Sequence, residues 1–302
     1  MTESDFLAAL RALPLHPGAR GLMDDAAIVG GLVVTTDTLV EGVHFLPTDP
    51  PGDVAWKLLA VNLSDLAAKG ALVEGVLLNH PLTDDGWDRA FLAGLMQALA
   101  AFDARLIGGD TVSLPPGRPR VLTCTAIGRD APAPSRTGAR DGDALWVTGA
   151  IGDAGIGLRV ARGEPGPPEL LAAYRRPVPR LAEGRALAPH VHAMSDVSDG
   201  LLIDARRMAA ASGLAVAVDL AAVPLSPCHP GADLARRIAA ATAGDDYELL
   251  FAAPAEWTPP VPATRVGRFA AGAGLALVDA GAPVSPPADL GWSHQGCAKP
   301  SR

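Results

Sequence analysis

Aspartate residues cluster at five places along this sequence, most of them beside a hydroxyl or glycine residue. Carboxylate and hydroxyl oxygens are the ligands that hard divalent cations such as Mg²⁺ prefer, and Mg²⁺ commonly bridges to the phosphate groups of a substrate. The pattern therefore favours an enzyme that acts on a phosphate compound with the help of Mg²⁺. The five places are Asp24-Asp25, Thr35–Thr38, Asn62–Asp65, Gly108–Thr111 and Ser195–Gly200.

Each cluster taken singly also has an ordinary structural explanation. An aspartate before a helix is most often a helix cap, and an aspartate in a glycine turn most often serves the turn. The familiar phosphate-binding loop, kinase signatures and dinucleotide fingerprint do not occur in the sequence. The glycine-rich stretch Thr148–Asp153 could approach a phosphate or form only a strand-to-helix turn. The residues alone therefore support no more than a Mg²⁺-phosphate enzyme.

Charge and cysteine content narrow the class of partner. The chain has 25 Lys and Arg residues against 33 Asp and Glu residues, a net charge of -8. Because this charge disfavours binding through phosphate neutralisation, we expect no nucleic-acid partner. The three cysteines are widely spaced and fit neither a disulfide framework nor a zinc motif, which favours a cytoplasmic location. No secretory signal or membrane-spanning stretch is visible, so no membrane partner is expected.

The first clusters fall on predicted elements of the N-terminal half. Apolar residues on both sides of Gly30-Gly31 predict a hairpin over Ala27–Thr36, with aspartates at its two ends. Asp53 is expected to cap a helix whose apolar stripe runs from Trp56 to Ala67, with Asp65 on the opposite side.

A further helix, strand and turn follow in the same half. The helix carries Trp87, Phe91 and Leu95 on one face. We expect it to lead into a short strand at Arg105–Ile107 and a tight turn at Gly108-Gly109-Asp110.

The chain of 302 residues has room for about two domains, and its composition suggests where they meet. Residues 131–142 are rich in Pro, Gly, Ser and Arg, which is typical of a linker. Both halves mix strands and helices without the strict repeat of a barrel or a doubly wound sheet. The sequence therefore predicts an α/β protein with α+β character and two domains.

Taken together and in order, these clusters and several further segments resemble the thiamine-monophosphate kinase family, part of the aminoimidazole-ribonucleotide synthetase superfamily. The resemblance spans nearly the whole chain, which makes it far more specific than any single motif. The matching segments are Asp24–Ala27, Thr35–Phe45, Ala60–Ala68, Leu106–Thr111, Arg136–Asp143, Arg176–Arg180, Ser195–Leu201, Gly244–Leu249 and Gly291–His294.

The resemblance implies transfer of the γ-phosphoryl group of ATP directly to the phosphate of thiamine monophosphate, giving thiamine diphosphate and ADP. The nucleophile is a phosphate oxygen with a second pKa of about 6, so no strong protein base is required. ATP and the acceptor together carry about six negative charges, and several Mg²⁺ ions would screen them and align the oxygens.

Position by position, the resemblance assigns the catalytic and ATP-binding residues. The catalytic residues would be Asp37, Asp65, Asp110 and Asp199. The ATP-binding residues would be Gly109, Asp110, Arg136 and Ser198. The metal-binding residues would be Asp25, Thr35, Thr36, Asp37, Asp65, Asp110, Asp196 and Asp199.

The resemblance also assigns the residues that bind the acceptor: His44, Asp245 and Trp292. Thiamine carries a cationic thiazolium ring, and an indole is the best side-chain partner for a cation of that kind. Asp245 stands where some family members have Glu, and Gln295 replaces a frequent aromatic residue that would form a second wall.

The implied architecture is an N-terminal domain over residues 1–135, which binds ATP and Mg²⁺, and a C-terminal domain over residues 136–302, which completes the active site. Relatives pair their N-terminal sheets, so a homodimer is expected. Three other superfamily enzymes fit less well. Selenophosphate synthetase has a reactive Cys or selenocysteine near its start, whereas the first cysteine here is Cys124. The hydrogenase maturation enzyme ends in a cysteine, whereas Cys297 here is followed by Ala-Lys-Pro-Ser-Arg. Aminoimidazole-ribonucleotide synthetase itself fits the segments Ser195–Gly200 and Gly291–His294 less well. A Mg²⁺-nucleotide sensor without catalytic activity is the alternative of another class.

Overall fold

Two sheets organise the protein, one in each half of the chain. The computed structural model describes residues 2–115 and 117–293. The elements on either side of residues 131–143 belong to different sheets. The division at residues 135 and 136 nevertheless stays a prediction. Within the described ranges, no helix is both long and apolar enough to cross a membrane.

The N-terminal sheet has five strands in the order β1-β2-β5-β3-β4. The β3–β4 pair is parallel and the other pairs are antiparallel. The predicted hairpin is confirmed, since Gly30 and Gly31 join β1 and β2 with positive φ values of 60° and 82°. The strands are β1 (Ala27–Val29), β2 (Leu32–Val40), β3 (Leu72–Leu82), β4 (Leu106–Ser113) and β5 (Val121–Arg129).

Three helices accompany this sheet: α1 (Glu3–Arg11), α2 (Pro51–Ala68) and α3 (Asp85–Ala101). Helix α2 packs on β2 and β5 and also meets β7 and α6 of the C-terminal half, so it lies between the two sheets. Its leucines are almost fully buried, and each contributes about 1.5–3 kcal/mol to stability. That contribution offsets the cost of the polar side chains that the same helix buries.

The C-terminal sheet has seven strands in the order β12-β11-β8-β10-β6-β9-β7. Only the β8–β11 pair is parallel. The strands are β6 (Ala144–Thr148), β7 (Ala193–Asp196), β8 (Leu214–Asp219), β9 (Leu249–Ala253), β10 (Ala263–Ala271), β11 (Gly274–Asp279) and β12 (Ala282–Val284). The helices are α4 (Asp153–Ala161), α5 (Pro168–Arg175), α6 (Leu181–Leu187), α7 (Leu201–Ala211) and α8 (Leu234–Ala241).

Two local predictions are wrong. The expected turn at Gly108-Gly109-Asp110 does not form, because β4 runs straight through these residues in register with β3. Asp53 does not cap α2. The helix begins at Pro51 after Pro50, and Asp53 lies in its first turn with Arg176 as its partner.

Candidate active site

A cleft of about 1020 Å³ is lined by residues from both halves of the chain. Strand β2 and helix α2 contribute polar groups from the N-terminal half. The loop after β7, the loop before β9 and the segment at Gly291 and Trp292 contribute from the C-terminal half. Most of the predicted site residues therefore face one common space.

Three carboxylates converge in this cleft, those of the buried Asp196 and the partly buried Asp25 and Asp65. An oxygen atom from each of Asp25, Asp65 and Asp196 lies within 4.8 Å of the others. Each carboxylate comes from a different part of the chain: the segment before β1, helix α2 and the end of β7. The Thr35 hydroxyl donates to Asp65, and the Ser64 hydroxyl donates to Asp196. The sequence clusters around residues 25, 35, 65 and 196 thus meet at one point.

The electrostatics of these carboxyls disfavour their ionised forms. Burial, followed by repulsion from neighbouring aspartates, raises the pKa of Asp37 to about 6 and that of Asp196 to about 8. The same causes raise the pKa of Asp65 well above its ordinary value. Crowded carboxylates of this kind are stabilised by a divalent cation, and an all-oxygen donor set suits a hard ion such as Mg²⁺. The residues therefore fit the metal that the sequence predicts.

Asp25 differs from its neighbours because two cations reach it. Burial alone would raise its pKa, but the charges of Arg136 and Lys69 lower it. The Lys69 ammonium lies 3.0 Å from Asp25, has a side chain that is 0% exposed and also donates to Asp24. Arg136 donates to Asp25 from the other side. Part of the negative charge in the cleft is thus balanced by the protein itself.

Asn62 fixes β2 to α2 at the level of the cluster. Its side-chain oxygen accepts from the backbone N–H of Asp37 at 2.9 Å, and its amide donates to the Leu58 carbonyl at 2.8 Å. Thr36, next to Asp37, donates to the Cys124 carbonyl on β5 at 3.1 Å. These bonds hold the cleft side of β2 in one position.

The loop after β7 organises the C-terminal side of the cleft. Asp199 is paired with Arg207, and its backbone N–H donates to Asp204 at 3.1 Å. The Ser198 carbonyl accepts from the backbone N–H of Asp245, and the Asp199 carbonyl accepts from that of Trp292. One loop thereby positions predicted metal, ATP and acceptor residues together.

The three predicted acceptor residues also line the cleft. The Nδ1 atom of His44 accepts from the Val40 backbone N–H at 3.0 Å, which fixes the ring after β2. The Asp245 carboxylate accepts from Lys57 at 2.7 Å and from the Tyr247 hydroxyl at 3.0 Å. Trp292 is 50% exposed at the cleft. Gln295 lies outside the described residues.

Gly109 and Asp110 do not line the cleft with the others. They lie on β4, the edge strand of the N-terminal sheet, and every residue of β4 is exposed. A side chain at Gly109 would collide with the backbone of Leu78 on β3, since its Cβ would lie 1.8 Å from the Leu78 carbonyl oxygen. Strand pairing alone therefore requires glycine here.

Sequence reasoning missed the two lysines of this region, Lys57 and Lys69. Both are buried, Lys57 on α2 and Lys69 directly after its last residue, and both bind aspartates of the cleft. Lysine is almost never fully buried unless it is paired. The sequence did hold a signal, because only three of the 25 basic residues are lysines and two of these three lie in one apolar helix region.

Two family models match this chain in succession. The model of the AIR synthase related protein, N-terminal domain, matches residues 23–129, and that of the C-terminal domain matches residues 140–282. The thiamine-monophosphate kinase of Caulobacter vibrioides is 40% identical, over 97% of this chain and 91% of that protein. This chain belongs to the thiamine-monophosphate kinase family.

Solved structures agree with this membership. The structure of AaThiL complexed with AMPPCP and TMP superposes with a TM-score of 0.82 at 29% identity, and covers 97% of each chain. The thiamine-monophosphate kinase from Stenotrophomonas maltophilia gives a TM-score of 0.75 at 36% identity, over 93% of this chain and 96% of that one. The predicted family and two-domain α/β fold are therefore confirmed.

Proposed function

We propose that this protein transfers the γ-phosphoryl group of ATP to thiamine monophosphate, with Mg²⁺, and so forms thiamine diphosphate. The observation that carries the proposal is the convergence of aspartates from both halves of the chain in one cleft of about 1020 Å³. A close structural relative binds AMPPCP and TMP, a pair that matches a nucleotide donor and an acceptor. The cytoplasmic location stays a prediction.

The reaction asks the protein for alignment and charge balance rather than for a base. The attacking phosphate oxygen is already largely ionised near neutral pH, because its second pKa is about 6. The chain must hold two anionic substrates in line within one cleft. In our proposal His44, Asp245 and Trp292 hold the acceptor, while Arg136 and Ser198 face the nucleotide.

Mg²⁺ would be held by the carboxylates of Asp25, Asp37, Asp65, Asp196 and Asp199, together with the hydroxyls of Thr35 and Thr36. When bound, the ions would neutralise phosphate oxygens and the charge that develops during transfer. The chain's own part is to gather these carboxylates before any ion arrives. Thr35 and Ser64 do so by donating to Asp65 and Asp196.

We propose further that the working enzyme is a homodimer in which β4 lies against a second copy. Among the described residues, β4 pairs with a strand on one side only, and its Leu106, Ile107 and Val112 side chains are each more than half exposed. Gly109 and Asp110 lie on this strand, outside the cleft of their own chain. A second copy that covers β4 would bring these two residues to its own cleft.

Release of ADP from ATP and Mg²⁺, with and without thiamine monophosphate, tests the proposed reaction. Mass spectrometry then identifies the phosphorylated product. We expect ADP release that depends on the acceptor and a product with the mass of thiamine diphosphate. ATP binding without acceptor-dependent ADP release would leave the fold assignment intact but overturn the proposed reaction.

A further inference from the structure

Lys57 occupies a buried position where the two halves of the chain meet. Its side chain is 2% exposed, and its ammonium donates to the Asp245 carboxylate at 2.7 Å and to the His44 carbonyl at 3.1 Å. The ammonium also lies 4.1 Å from the ring centroid of Tyr174. An ammonium group has three donors, so these contacts replace the water that burial removes.

Lys57 thereby joins two residues that the proposed function assigns to the acceptor. His44 follows β2 in the N-terminal half, whereas Asp245 lies before β9 in the C-terminal half. Asp245 has a positive φ of 73°, a conformation that L-residues seldom adopt and that surrounding contacts must hold. Its backbone is held by Ser198, and its carboxylate by Lys57 and Tyr247.

The choice of lysine over arginine fits this role. Only three of the 25 basic residues of the chain are lysines, so arginine is the usual cation here. An ammonium is a compact point charge, whereas a guanidinium is a wide planar fork. A narrow position between a carboxylate, a carbonyl and an aromatic ring suits the ammonium.

We infer that Lys57 is a positioning residue for the acceptor: it sets the distance between His44 and Asp245 across the boundary between the two halves and directs the Asp245 carboxylate into the cleft. Lys57 does not itself line the cleft, so it acts through Asp245. The inference rests on the proposed function, since Asp245 must meet the acceptor for its position to matter.

Selectivity between the two substrates separates positioning from simple charge. Removal of the Lys57 charge makes the cleft more negative, which by repulsion alone would weaken binding of both anionic substrates, ATP and thiamine monophosphate. Loss of positioning should weaken binding of the acceptor alone. Lys57→Met keeps an unbranched apolar side chain over the Tyr174 ring, so we expect it to raise the KM for thiamine monophosphate about tenfold, the scale of one charge-assisted hydrogen bond. The KM for ATP should stay within about twofold of its original value.

A double-mutant cycle with Asp245→Asn tests whether Lys57 acts through Asp245. We expect Lys57→Met to add little to the KM of the Asp245→Asn variant, and additive effects would overturn the inference. Tyr174→Phe is the matched control, because it keeps the ring under Lys57 but removes the 3.0 Å hydrogen bond to Asp49. It should leave the KM for thiamine monophosphate unchanged.

Tyr247→Phe provides a second test of the inference in case the Lys57 variant does not fold. It removes the other side-chain bond to Asp245 from within the C-terminal half, and we expect a smaller rise in the same KM. Calorimetric binding of thiamine monophosphate gives a readout apart from turnover. If the original enzyme phosphorylates thiamine monophosphate but Lys57→Met binds it equally well or more tightly, the positioning role is wrong. If the original enzyme does not use this acceptor, the proposed function itself has failed.

Discussion

Strands β2 and β4 belong to the same sheet, and each carries an aspartate that was predicted to bind metal, but the two aspartates have different surroundings. Asp37 on β2 faces the cleft, and burial, followed by repulsion from Asp25 and Asp199, raises its pKa to about 6. Asp110 on β4 is exposed on an edge strand. Two strands, β5 and β3, separate β2 from β4.

The spacing of the strands gives the distance between β2 and β4, which is much longer than a bond from a metal ion to its ligand. Neighbouring strands lie about 4.8 Å apart, so β2 and β4 are about 14 Å apart along the sheet. A ligand oxygen lies about 2.0–2.6 Å from Mg²⁺ or Ca²⁺. One chain thus presents an acidic cleft at one side of its sheet. At the other edge it exposes Gly109 and Asp110, which the proposed dimer would bring to the cleft of a second copy.

Loss of a carboxylate on the cleft side should have the largest effect. Asp65→Ala removes a member of the three-carboxylate cluster, and we expect ADP formation to fall by more than about a hundredfold. Loss of a group that only supports a metal ligand already costs about 10–100-fold. The fold should survive, because the buried Asp65 carboxyl has a raised pKa and costs stability when ionised.

The matched control for Asp65→Ala is Asp53→Ala on the same helix, which loses only a partly exposed ion pair with Arg176. Circular dichroism and thermal unfolding check the fold of both variants. Turnover that survives in Asp65→Ala would show that the proposed metal assignment is wrong.

Asp110→Ala tests the exposed aspartate of β4. We expect a comparably large loss of activity, although Asp110 is exposed in the single chain. Co-expression of the Asp110→Ala chain with the Asp65→Ala chain then tests whether Asp110 of one copy acts in the cleft of the other. A mixed dimer has one cleft with both defects and one with neither, so random pairing should restore about a quarter of the original activity.

Activity in the mixture no greater than the sum of the two variants would contradict a site shared between copies. Sedimentation of the separate variants serves as the control, since each must still form a dimer. A monomer that retains full activity would overturn the proposed role of β4 altogether.

The difference between β2 and β4 also explains what could be predicted from the sequence. The hairpin before β2 and the buried stripe of α2 follow from local periodicity, and both are present. The glycines of Gly108-Gly109-Asp110 suggested a turn for equally local reasons. The pairing with β3, a long-range contact, decides instead that the segment is a strand, and no local pattern encodes it.

Within the site, residue types could be predicted better than their partners. The acidic clusters and the family resemblance named the carboxylates that meet at Asp25, Asp65 and Asp196. The buried cations Lys57 and Lys69 were missed, because hydropathy treats lysine as a surface residue. Their burial depends on carboxylates that come from distant parts of the chain.

A smaller effect on activity is expected from a change at Trp292, one of the residues proposed to bind the acceptor. Trp292→Ala should raise the KM for thiamine monophosphate by about tenfold, since a partly desolvated indole–cation contact contributes about 1–2 kcal/mol. The KM for ATP should change less than about twofold. Trp257 packs against Phe251 and lies apart from the cleft, so Trp257→Ala is the control for the loss of a tryptophan side chain elsewhere in the protein. Equal changes in both KM values for Trp292→Ala would contradict the stacking role.

The smallest effect concerns stability and needs no catalysis. The pKa values of Asp37 and Asp196 are raised to about 6 and about 8, so the folded, metal-free protein holds protons that the unfolded chain releases at lower pH. Stability should therefore fall as pH rises from about 4 to about 8.

Mg²⁺ binds the ionised carboxylates, so its stabilising shift in Tm, a few degrees in size, should be larger at pH 8 than at pH 5.5. Differential scanning fluorimetry measures both trends, and Asp196→Asn should flatten the slope between pH 6 and 8. An equal Mg²⁺ shift in Tm at both pH values would show that these carboxyls are not the groups that bind the ion. The crowding of carboxylates near β2 would then not explain why Asp37 and the exposed Asp110 of β4 differ.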